Sequence, residues 1–249
     1  MSAPLLAARG LAKRFGAVVA ADDVTIDVRR GERVSLIGSN GAGKTTFVNM
    51  VTGYLKPDAG SIALDGADIT PLSPRQITRL GVARSFQIPQ LCAEMAVIDN
   101  MIVAAACGAG APSPWRPARS GPRRERAFAL LERFGLAAQA RRRAAELPGG
   151  ARKLLDIAMA LTGQPALLLL DEPTSGVSVD EKLPMMDTVV EALSAEPVAV
   201  LFVEHDMDVV TRYADRVVAF WSGKVICDAP PAAALADEQV RRYVTGTLR

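Results

Sequence analysis

Long apolar runs are absent from this sequence. Its apolar runs, such as ALLLL and AVLFV, have the length of strands and fall well short of the roughly 18 residues that suggest a membrane-spanning helix. The N-terminal sequence MSAPLLAARGLAKRFG has no charged leader followed by a long apolar block, so it does not predict a signal peptide. We therefore expect a chain that is soluble by itself and that can dock on a membrane protein.

Cysteine and net charge are also low. Cys92, Cys107 and Cys227 are odd in number and far apart, a pattern that fits neither a disulfide framework nor a zinc site. We expect buried, free thiols in a reducing cytoplasm. The 29 basic and 27 acidic side chains leave a net charge of +2, whereas nucleic-acid-binding proteins usually show a stronger basic bias, so no nucleic-acid partner is expected.

Short apolar runs alternate with amphipathic segments along most of the 249 residues. The runs RVSLIG, ALLLLD and VAVLFVE predict buried strands, and a helix is predicted over Lys44–Tyr54, with Phe47, Val51 and Tyr54 at helical spacing. The sequence DRVVAFWSGKVICDA predicts two further strands that turn at Ser222-Gly223. Strands that alternate with helices indicate an α/β fold with a mainly parallel sheet, covered on both faces.

The middle of the chain, Ile88–Gly163, has a mostly helical pattern with one break. The break, GAGAPSPWRPARSGPRRERA, is rich in proline, glycine and arginine. It predicts a surface loop between helices with solvated arginines. A phosphate-binding or lipid-binding role for these arginines is the weaker alternative.

A phosphate-binding loop is predicted at GSNGAGKT, which fits G-x-x-x-x-G-K-[ST] and stands between a predicted strand and a predicted helix. Glycines let the backbone approach phosphates closely and point its N–H groups inward. Lys44 would contact the β- and γ-phosphates and Thr45 would bind Mg²⁺. The nucleotide-contacting residues predicted here are Gly38, Ser39, Asn40, Gly41, Ala42, Gly43, Lys44, Thr45 and Thr46.

An acidic pair, Asp171 and Glu172, ends the predicted strand LLLLD. The carboxyl ends of strands are where ligands bind in open α/β sheets. Asp171 could hold Mg²⁺ directly or through water, and Glu172 could act as the general base on the attacking water. The alternative is an ordinary polar turn at Asp-Glu-Pro.

Three single residues complete the candidate site. The only histidine, His205, follows the predicted strand VAVLFVE and could donate a hydrogen bond to the γ-phosphate, although a lone histidine is more often structural. Gln87, in VARSFQIPQL, could contact Mg²⁺ or the attacking water, with a plain surface glutamine as the alternative. Phe15, in KRFGAVVA, could stack on adenine, and core packing explains it equally well.

These pieces occur in one order: Phe15, the phosphate loop, Gln87, LPGG, the acidic pair and His205. That order resembles the nucleotide-binding subunits of ABC transporters across nearly the whole chain. The resemblance implies a single domain, residues 1–249, with an ATPase core of the phosphate-loop NTPase type (1–87 and 164–249), an antiparallel β portion and an inserted helical subdomain (88–163). It also implies ATP and Mg²⁺ as cofactors.

The signature of that family is usually Leu-Ser-Gly-Gly-Gln, but this chain has LPGGA at residues 147–151. By the resemblance, Pro148, Gly149 and Gly150 contact ATP held by a second subunit. We expect the backbone N–H groups of the two glycines to do so, ahead of a helix that begins near Arg152. The missing hydroxyl removes one hydrogen bond, worth about 1.5–3 kcal/mol with a charged phosphate, so we expect one composite ATP site to be weaker than the other.

Several segments more closely resemble bacterial importers of branched-chain and other hydrophobic amino acids: LIGSNGAGKTTFVNMVTGYLKPDAGSI, GVARSFQIPQL, MAVIDNM, VEHDM and RRYVTG. Proline at the signature and the lack of an aspartate at Ser178 are both familiar in that group. The resemblance implies the longer of two different ATP-binding subunits, paired in a heterodimer. It also implies two transmembrane permease subunits, one of which docks at Ile88–Met101, a periplasmic or extracellular solute-binding protein, and a peripheral position on the cytoplasmic face of the cell membrane.

Other readings remain open from the sequence. The cargo could be urea, a short amide or an aromatic acid, because the ATPase subunit does not touch it. A soluble non-transport ABC ATPase is the alternative from another class, although such proteins usually carry two ATPase halves or large coiled-coil inserts. A catalytically silent regulatory partner is a third alternative, and the intact Lys44, Gln87, Asp171, Glu172 and His205 argue against it.

Overall fold

Strands and helices alternate along the chain, in a computed structural model that describes residues 3–108 and 121–246. Within these ranges the strands are β1 (Leu6–Phe15), β2 (Val18–Val28), β3 (Arg33–Gly38), β4 (Ala59–Leu64), β5 (Ala67–Asp68), β6 (Val82–Ser85), β7 (Leu167–Asp171), β8 (Ala199–Val203), β9 (Arg216–Trp221) and β10 (Lys224–Ala229).

The α-helices of the same ranges are α1 (Lys44–Val51), α2 (Pro74–Arg79), α3 (Val97–Gly108), α4 (Pro122–Arg133), α5 (Gly149–Leu161), α6 (Val179–Ser194), α7 (Met207–Tyr213), α8 (Pro231–Ala236) and α9 (Glu238–Tyr243). Two short 3₁₀ helices, Ala137–Gln139 and Ala144–Glu146, lie between α4 and α5. Among the residues described, no helix combines the length and apolar character that a membrane crossing needs.

The first of two packing units, Met1–Ile77 with Ala199–Arg249, contains two kinds of sheet. One is antiparallel, in the order β2-β1-β4-β5. In the other, β3 lies parallel to both β8 and β9, and β10 is antiparallel to β9. The predicted hairpin turn is confirmed, with positive φ of 47° at Ser222 and 79° at Gly223, which two-residue hairpin turns favour.

Apolar burial explains these strands. All five residues of β8 and five of the six residues of β3 are buried, as expected for parallel strands that are covered on both faces. Phe47 of α1 and Phe220 of β9 are 0% and 1% exposed, and their ring centroids lie 5.9 Å apart. The helix that follows β3 is therefore held by a buried aromatic pair.

The second unit, Thr78–Val198, contains β6 and β7 as a parallel pair. The four leucines of β7 are buried, and α5 packs against both strands and against α3, α4 and α6. The predicted α/β class and the antiparallel portion are thus confirmed. The helical segment 88–163 lies inside this unit, and its standing as a separate subdomain remains a prediction.

The helix that follows the phosphate loop is shorter than predicted. It ends at Val51, and Tyr54, which was expected on its apolar face, is 61% exposed. Gly53 fits this end, because its φ of 75° is the left-handed conformation in which helices commonly end, and a Cβ there would lie 3.0 Å from the backbone carbonyl oxygen of Leu72. Glycine adopts this conformation without strain, whereas a side chain there would be strained.

Helix boundaries in the middle of the chain also differ from expectation. Residues 88–96 contain no helix, and residues 122–127, predicted as loop, form the start of α4. Proline at the first helical position explains that start, because its fixed φ suits a helix N-terminus. The rest of the predicted loop, residues 109–120, lies outside the described residues.

Burial of the thiols was predicted wrongly for two of them. All three cysteines are free, but Cys92 and Cys107 are exposed, whereas Cys227 is half-buried. Burial raises the pKa of the Cys227 thiol, and the nearby carboxylates of Asp237 and Asp228 raise it further.

The aromatic pair gives a stability prediction. Phe47→Ala should lower the free energy of unfolding by about 3–5 kcal/mol, because it leaves a cavity against Phe220. Chemical denaturation would measure this loss. Phe128→Ala is the matched control, since Phe128 is 42% exposed and should lose about 1 kcal/mol or less; equal losses would contradict the packing described here.

Candidate functional site

The predicted phosphate loop joins β3 to α1 in the first unit, and its glycines are required by the backbone. Gly38, Gly41 and Gly43 have φ values of 149°, 80° and 112°. A Cβ on Gly38 would lie 2.6 Å from the carbonyl oxygen of Phe220, and one on Gly43 would lie 2.6 Å from that of Ala20. The loop is therefore seated against neighbouring backbone that leaves no room for a side chain at two of the three positions.

A lysine ammonium lies within this loop. Lys44 is 5% exposed, and its Nζ donates to the carbonyl oxygens of Gly38 at 2.6 Å and Ser39 at 3.1 Å. The N-terminus of α1 follows directly, with no side-chain cap at Gly43. A buried ammonium beside uncapped helical N–H groups favours an anion such as a phosphate.

The other loop residues differ in exposure. Asn40, Gly41 and Thr45 are exposed, Ser39 and Thr46 are half-buried, and Ala42 is buried. The hairpin turn braces this loop, because the Gly223 N–H donates to the Ala42 carbonyl at 2.9 Å.

Two further predicted residues lie in the first unit. Phe15 ends β1 with 50% of its surface exposed, so core packing does not account for it, and Lys13 Nζ lies 5.8 Å from the centre of its ring. His205 is exposed in the loop after β8, where its backbone N–H donates to Glu204 Oε2 at 3.1 Å. Both side chains are accessible to a ligand.

The predicted metal-binding carboxylate is paired with arginine in the second unit. Asp171 Oδ2 accepts a hydrogen bond from Arg84 Nη2 at 2.6 Å, and the two side chains are 12% and 9% exposed. Arg84 stands on β6, next to β7, and its guanidinium carbon lies 4.8 Å from the centre of the Phe86 ring. The carboxylate is thus compensated by a cation although it is nearly buried.

The structure brings the two predicted catalytic residues of this unit together. Gln87 Nε2 donates to Glu172 Oε2 at 2.7 Å. Glu172 also has a left-handed backbone, with φ 48°. Such strain in a non-glycine residue costs on the order of 1–3 kcal/mol and is concentrated at functional sites.

The signature glycines lie inside helix α5, which corrects the predicted helix start near Arg152. The helix begins at Gly149, and its first intrahelical bond runs from the Arg152 N–H to the Pro148 carbonyl at 3.0 Å. The N–H groups of the first turn have no acceptor within their own helix. A Cβ on Gly149 or Gly150 would meet no atom within 4 Å, so packing inside the described chain does not demand glycine at either position.

Sequence reasoning missed two charged residues of α5. Lys153 and Asp156 are only 5% and 6% exposed. Lys153 Nζ donates to the carbonyl oxygens of Gln87 at 2.5 Å and Glu172 at 3.2 Å. The signal for both was available, because charged residues stand on the apolar face of an otherwise amphipathic helix.

Asp156 forms hydrogen bonds to residues on both sides of Gln87 in the sequence. Its Oδ2 accepts from Ser85 Oγ at 2.5 Å and its Oδ1 accepts from the Gln90 N–H at 3.0 Å. Burial raises the pKa of the Asp156 carboxyl, and the hydrogen bonds from Ser85, Gln90 and Phe86 and the charge of Lys153 oppose that rise.

An open pocket of about 380 Å³ lies in the second unit, beside this segment. Ile88, Pro89 and Leu91 contribute apolar side chains to its lining, and Gly149 also lines it. The predicted docking segment Ile88–Met101 therefore contributes its first residues to a concave surface.

Comparisons with known proteins match this chain, over nearly its full length, to ATP-binding proteins of ABC transporters. The profile of a family described as ABC transporter matches residues 21–175. The chain is 37% identical to the high-affinity branched-chain amino acid transport ATP-binding protein LivG of Salmonella typhimurium, over 99% of both chains. It is 36% identical to BraF of Pseudomonas aeruginosa, which has the same description, over 97% of this chain and 95% of that protein. The crystal structure of an ATP-binding cassette of an ABC transporter in its ADP conformation matches 97% of this chain and 98% of its own, with a TM-score of 0.87 and 32% identity.

The glycines of the phosphate loop give a second prediction. Gly43→Ala should lower the free energy of unfolding by more than Gly41→Ala, because only the first places a Cβ against backbone. The left-handed backbone alone costs alanine about 1–2 kcal/mol, so this amount is expected for Gly41→Ala and a larger loss for Gly43→Ala. Equal losses in denaturant titrations would show that the contact with Ala20 is not a constraint.

Proposed function

The chain belongs to the ABC transporter family, and from that premise we propose that it is the ATP-hydrolysing subunit of an importer for branched-chain or other hydrophobic amino acids. Full-length similarity to LivG and BraF supports this cargo class. ATP hydrolysis is proposed chiefly from one observation: Glu172 has a strained backbone conformation and its side chain is hydrogen-bonded to Gln87.

Phosphate binding is assigned to the residues of the first unit. Lys44 and the loop residues 38–46 bind the phosphates, and the exposed face of Phe15 stacks on adenine. His205 donates a hydrogen bond to the γ-phosphate, where negative charge grows during hydrolysis. The exposure of Phe15 and His205 supports both assignments.

Hydrolysis is assigned to the acidic pair of the second unit. Glu172 takes a proton from the attacking water as general base, and Gln87 orients Glu172 through their hydrogen bond. Asp171, Thr45 and Gln87 supply carboxylate, hydroxyl and amide oxygens, which are the donors that Mg²⁺ prefers. Mg²⁺, when bound, neutralises phosphate charge during phosphoryl transfer.

Pro148, Gly149 and Gly150 are assigned to the ATP of a second ATP-binding subunit. The space beside both glycines supports this, since a Cβ on either one would meet no atom of the described chain within 4 Å. As a member of this family the chain works with membrane permease subunits. We propose two of them, together with a solute-binding protein that acts through them, and a position on the cytoplasmic face of the cell membrane.

The test begins with the complex, isolated from membranes through a tag on this chain. ATP hydrolysis would be assayed with a hydrophobic amino acid, urea or an aromatic acid, each with its solute-binding protein. Stimulation by the hydrophobic amino acid alone is expected. Stimulation by urea or an aromatic acid would show that the cargo belongs to that class instead. Recovery of this chain from the soluble fraction, without a permease, would favour the non-transport ATPase.

Glu172→Gln should lower ATP turnover of the complex by about 10²–10⁴-fold, because it removes the general base, with nucleotide binding retained. Glu132→Gln, at an exposed position of α4, should leave turnover unchanged. Making the equivalent change in the partner subunit, in a separate complex, allows the two composite ATP sites to be compared. We expect the two variants to lose unequal amounts of ATP turnover. Equal losses of turnover would contradict a weaker ATP site at the LPGG signature.

Gly150→Ala separates function from stability. Alanine in a helix is favoured over glycine by up to about 1 kcal/mol, so unfolding of the variant should need the same free energy or slightly more. Turnover of the complex should fall about tenfold or more, which corresponds to losing one hydrogen bond to a charged phosphate. Gly163→Ala, where a Cβ also meets open space, should change neither quantity; wild-type turnover in Gly150→Ala would remove the signature from the site.

A further inference from the structure

We infer that Lys153 and Asp156 of helix α5 are positioning residues for ATP hydrolysis, which hold Gln87 and Glu172 in place through the backbone. This inference rests on the proposed function, since it gives these two residues a task only if Glu172 is the general base.

Lys153 joins the two catalytic residues by their carbonyl groups. A single buried ammonium accepts no hydrogen bonds and donates to both Gln87 O and Glu172 O. The side chains of the same two residues meet at 2.7 Å. Gln87 and Glu172 are therefore connected twice, once by side chains and once through Lys153, although 85 residues separate them in sequence.

Asp156 holds the segment around Gln87 from both sides. Its carboxylate accepts from Ser85 and Phe86 before Gln87 and from Gln90 after it. Three donors in a segment of six residues leave that segment few ways to shift without breaking a bond to a buried carboxylate. Breaking such a bond is costly, because leaving a buried charged group without its hydrogen-bond partner costs more free energy than leaving a neutral group unpaired.

Both residues lie on one side of α5. They are three positions apart, so their side chains project from the same face of the helix, and they hydrogen-bond to Ser85 on β6 and to the carbonyl of Glu172, directly after β7. Buried charges such as these are weak evidence for a role in stability, because apolar replacements of buried ionic groups are often neutral or stabilising. Fixing a particular backbone geometry is a task that an apolar pair would not perform.

The same helix begins with the signature glycines. Gly149 precedes Lys153 by four residues, which is about one helical turn, or roughly 6 Å along the axis. A shift of the first turn of α5 towards the ATP of a second subunit would therefore move Lys153 with it. Through this lysine such a shift would reach the backbone of Gln87 and Glu172.

Lys153→Met tests the inference in the purified complex, because methionine keeps an apolar stem of similar size and removes the ammonium. The maximal rate, kcat, should fall about tenfold or more, while nucleotide affinity and KM for ATP stay within about twofold. Lys153→Arg keeps donors for both carbonyls and should recover most of the lost rate. Lys56→Met is the control and should leave kcat unchanged, since Lys56 also donates to two carbonyls, Thr70 O and Leu72 O, but is exposed and lies in the other unit.

Several results would overturn the inference: a wild-type kcat in Lys153→Met, an equal loss in Lys153→Arg, or a loss that appears as weaker nucleotide binding. Asp156→Asn provides a second variant should Lys153→Met not assemble, and its kcat must fall with affinity retained. If the two residues act as one unit, the double variant should lose little more rate than the more damaged single variant; fully multiplicative losses would count against the shared role.

The proposed function fails separately from this inference. A wild-type complex without ATP turnover, or an unchanged rate in Glu172→Gln, would overturn the assignment of Glu172 itself. A complex that responds to Glu172→Gln but not to Lys153→Met or Asp156→Asn would keep the general base and overturn only its positioning by α5.

Discussion

Burial of short parallel strands is the constraint on which the rest of this structure depends. Strands β3, β7 and β8 are almost wholly apolar, so each is fixed by packing and ends abruptly at polar residues. The phosphate loop, the acidic pair and His205 each follow one of these strands. Apolar packing thereby sets the positions of the phosphate loop, the acidic pair and His205.

Four charged side chains that lie next to these apolar strands, all buried or nearly so, each have a hydrogen-bonding partner. Lys44 is held by two carbonyls, Asp171 by Arg84, and Lys153 and Asp156 by backbone groups and a serine. Because an unpaired buried charge would cost far more than any of these bonds contributes, the arrangement of partners is as restrictive as the packing. The raised pKa of Asp156 shows that burial still outweighs its hydrogen bonds.

Sequence patterns predicted the strands and the phosphate loop well, because both depend on local composition. The run of four leucines and the spacing of Gly38, Gly43 and Lys44 each point to one local structure. Helix ends were harder, since helical spacing continues in KTTFVNMVTGY as far as Tyr54, whereas α1 ends at Val51, before Gly53 with its φ of 75°. The roles of Lys153 and Asp156 depend on tertiary neighbours: their partners Ser85, Gln87 and Gln90 lie more than sixty residues away.

The turn at Ser222-Gly223 shows that a hairpin can support a ligand-binding loop through hydrogen bonds. Hairpin tips are usually good places to insert a tag or a reporter domain, because little depends on them. Here the tip donates to Ala42 and accepts from the Asp22 N–H, so a protein engineer who opened it would loosen the phosphate loop. The turn between β4 and β5, where a Cβ on Gly66 meets only open space, offers an insertion point without that penalty.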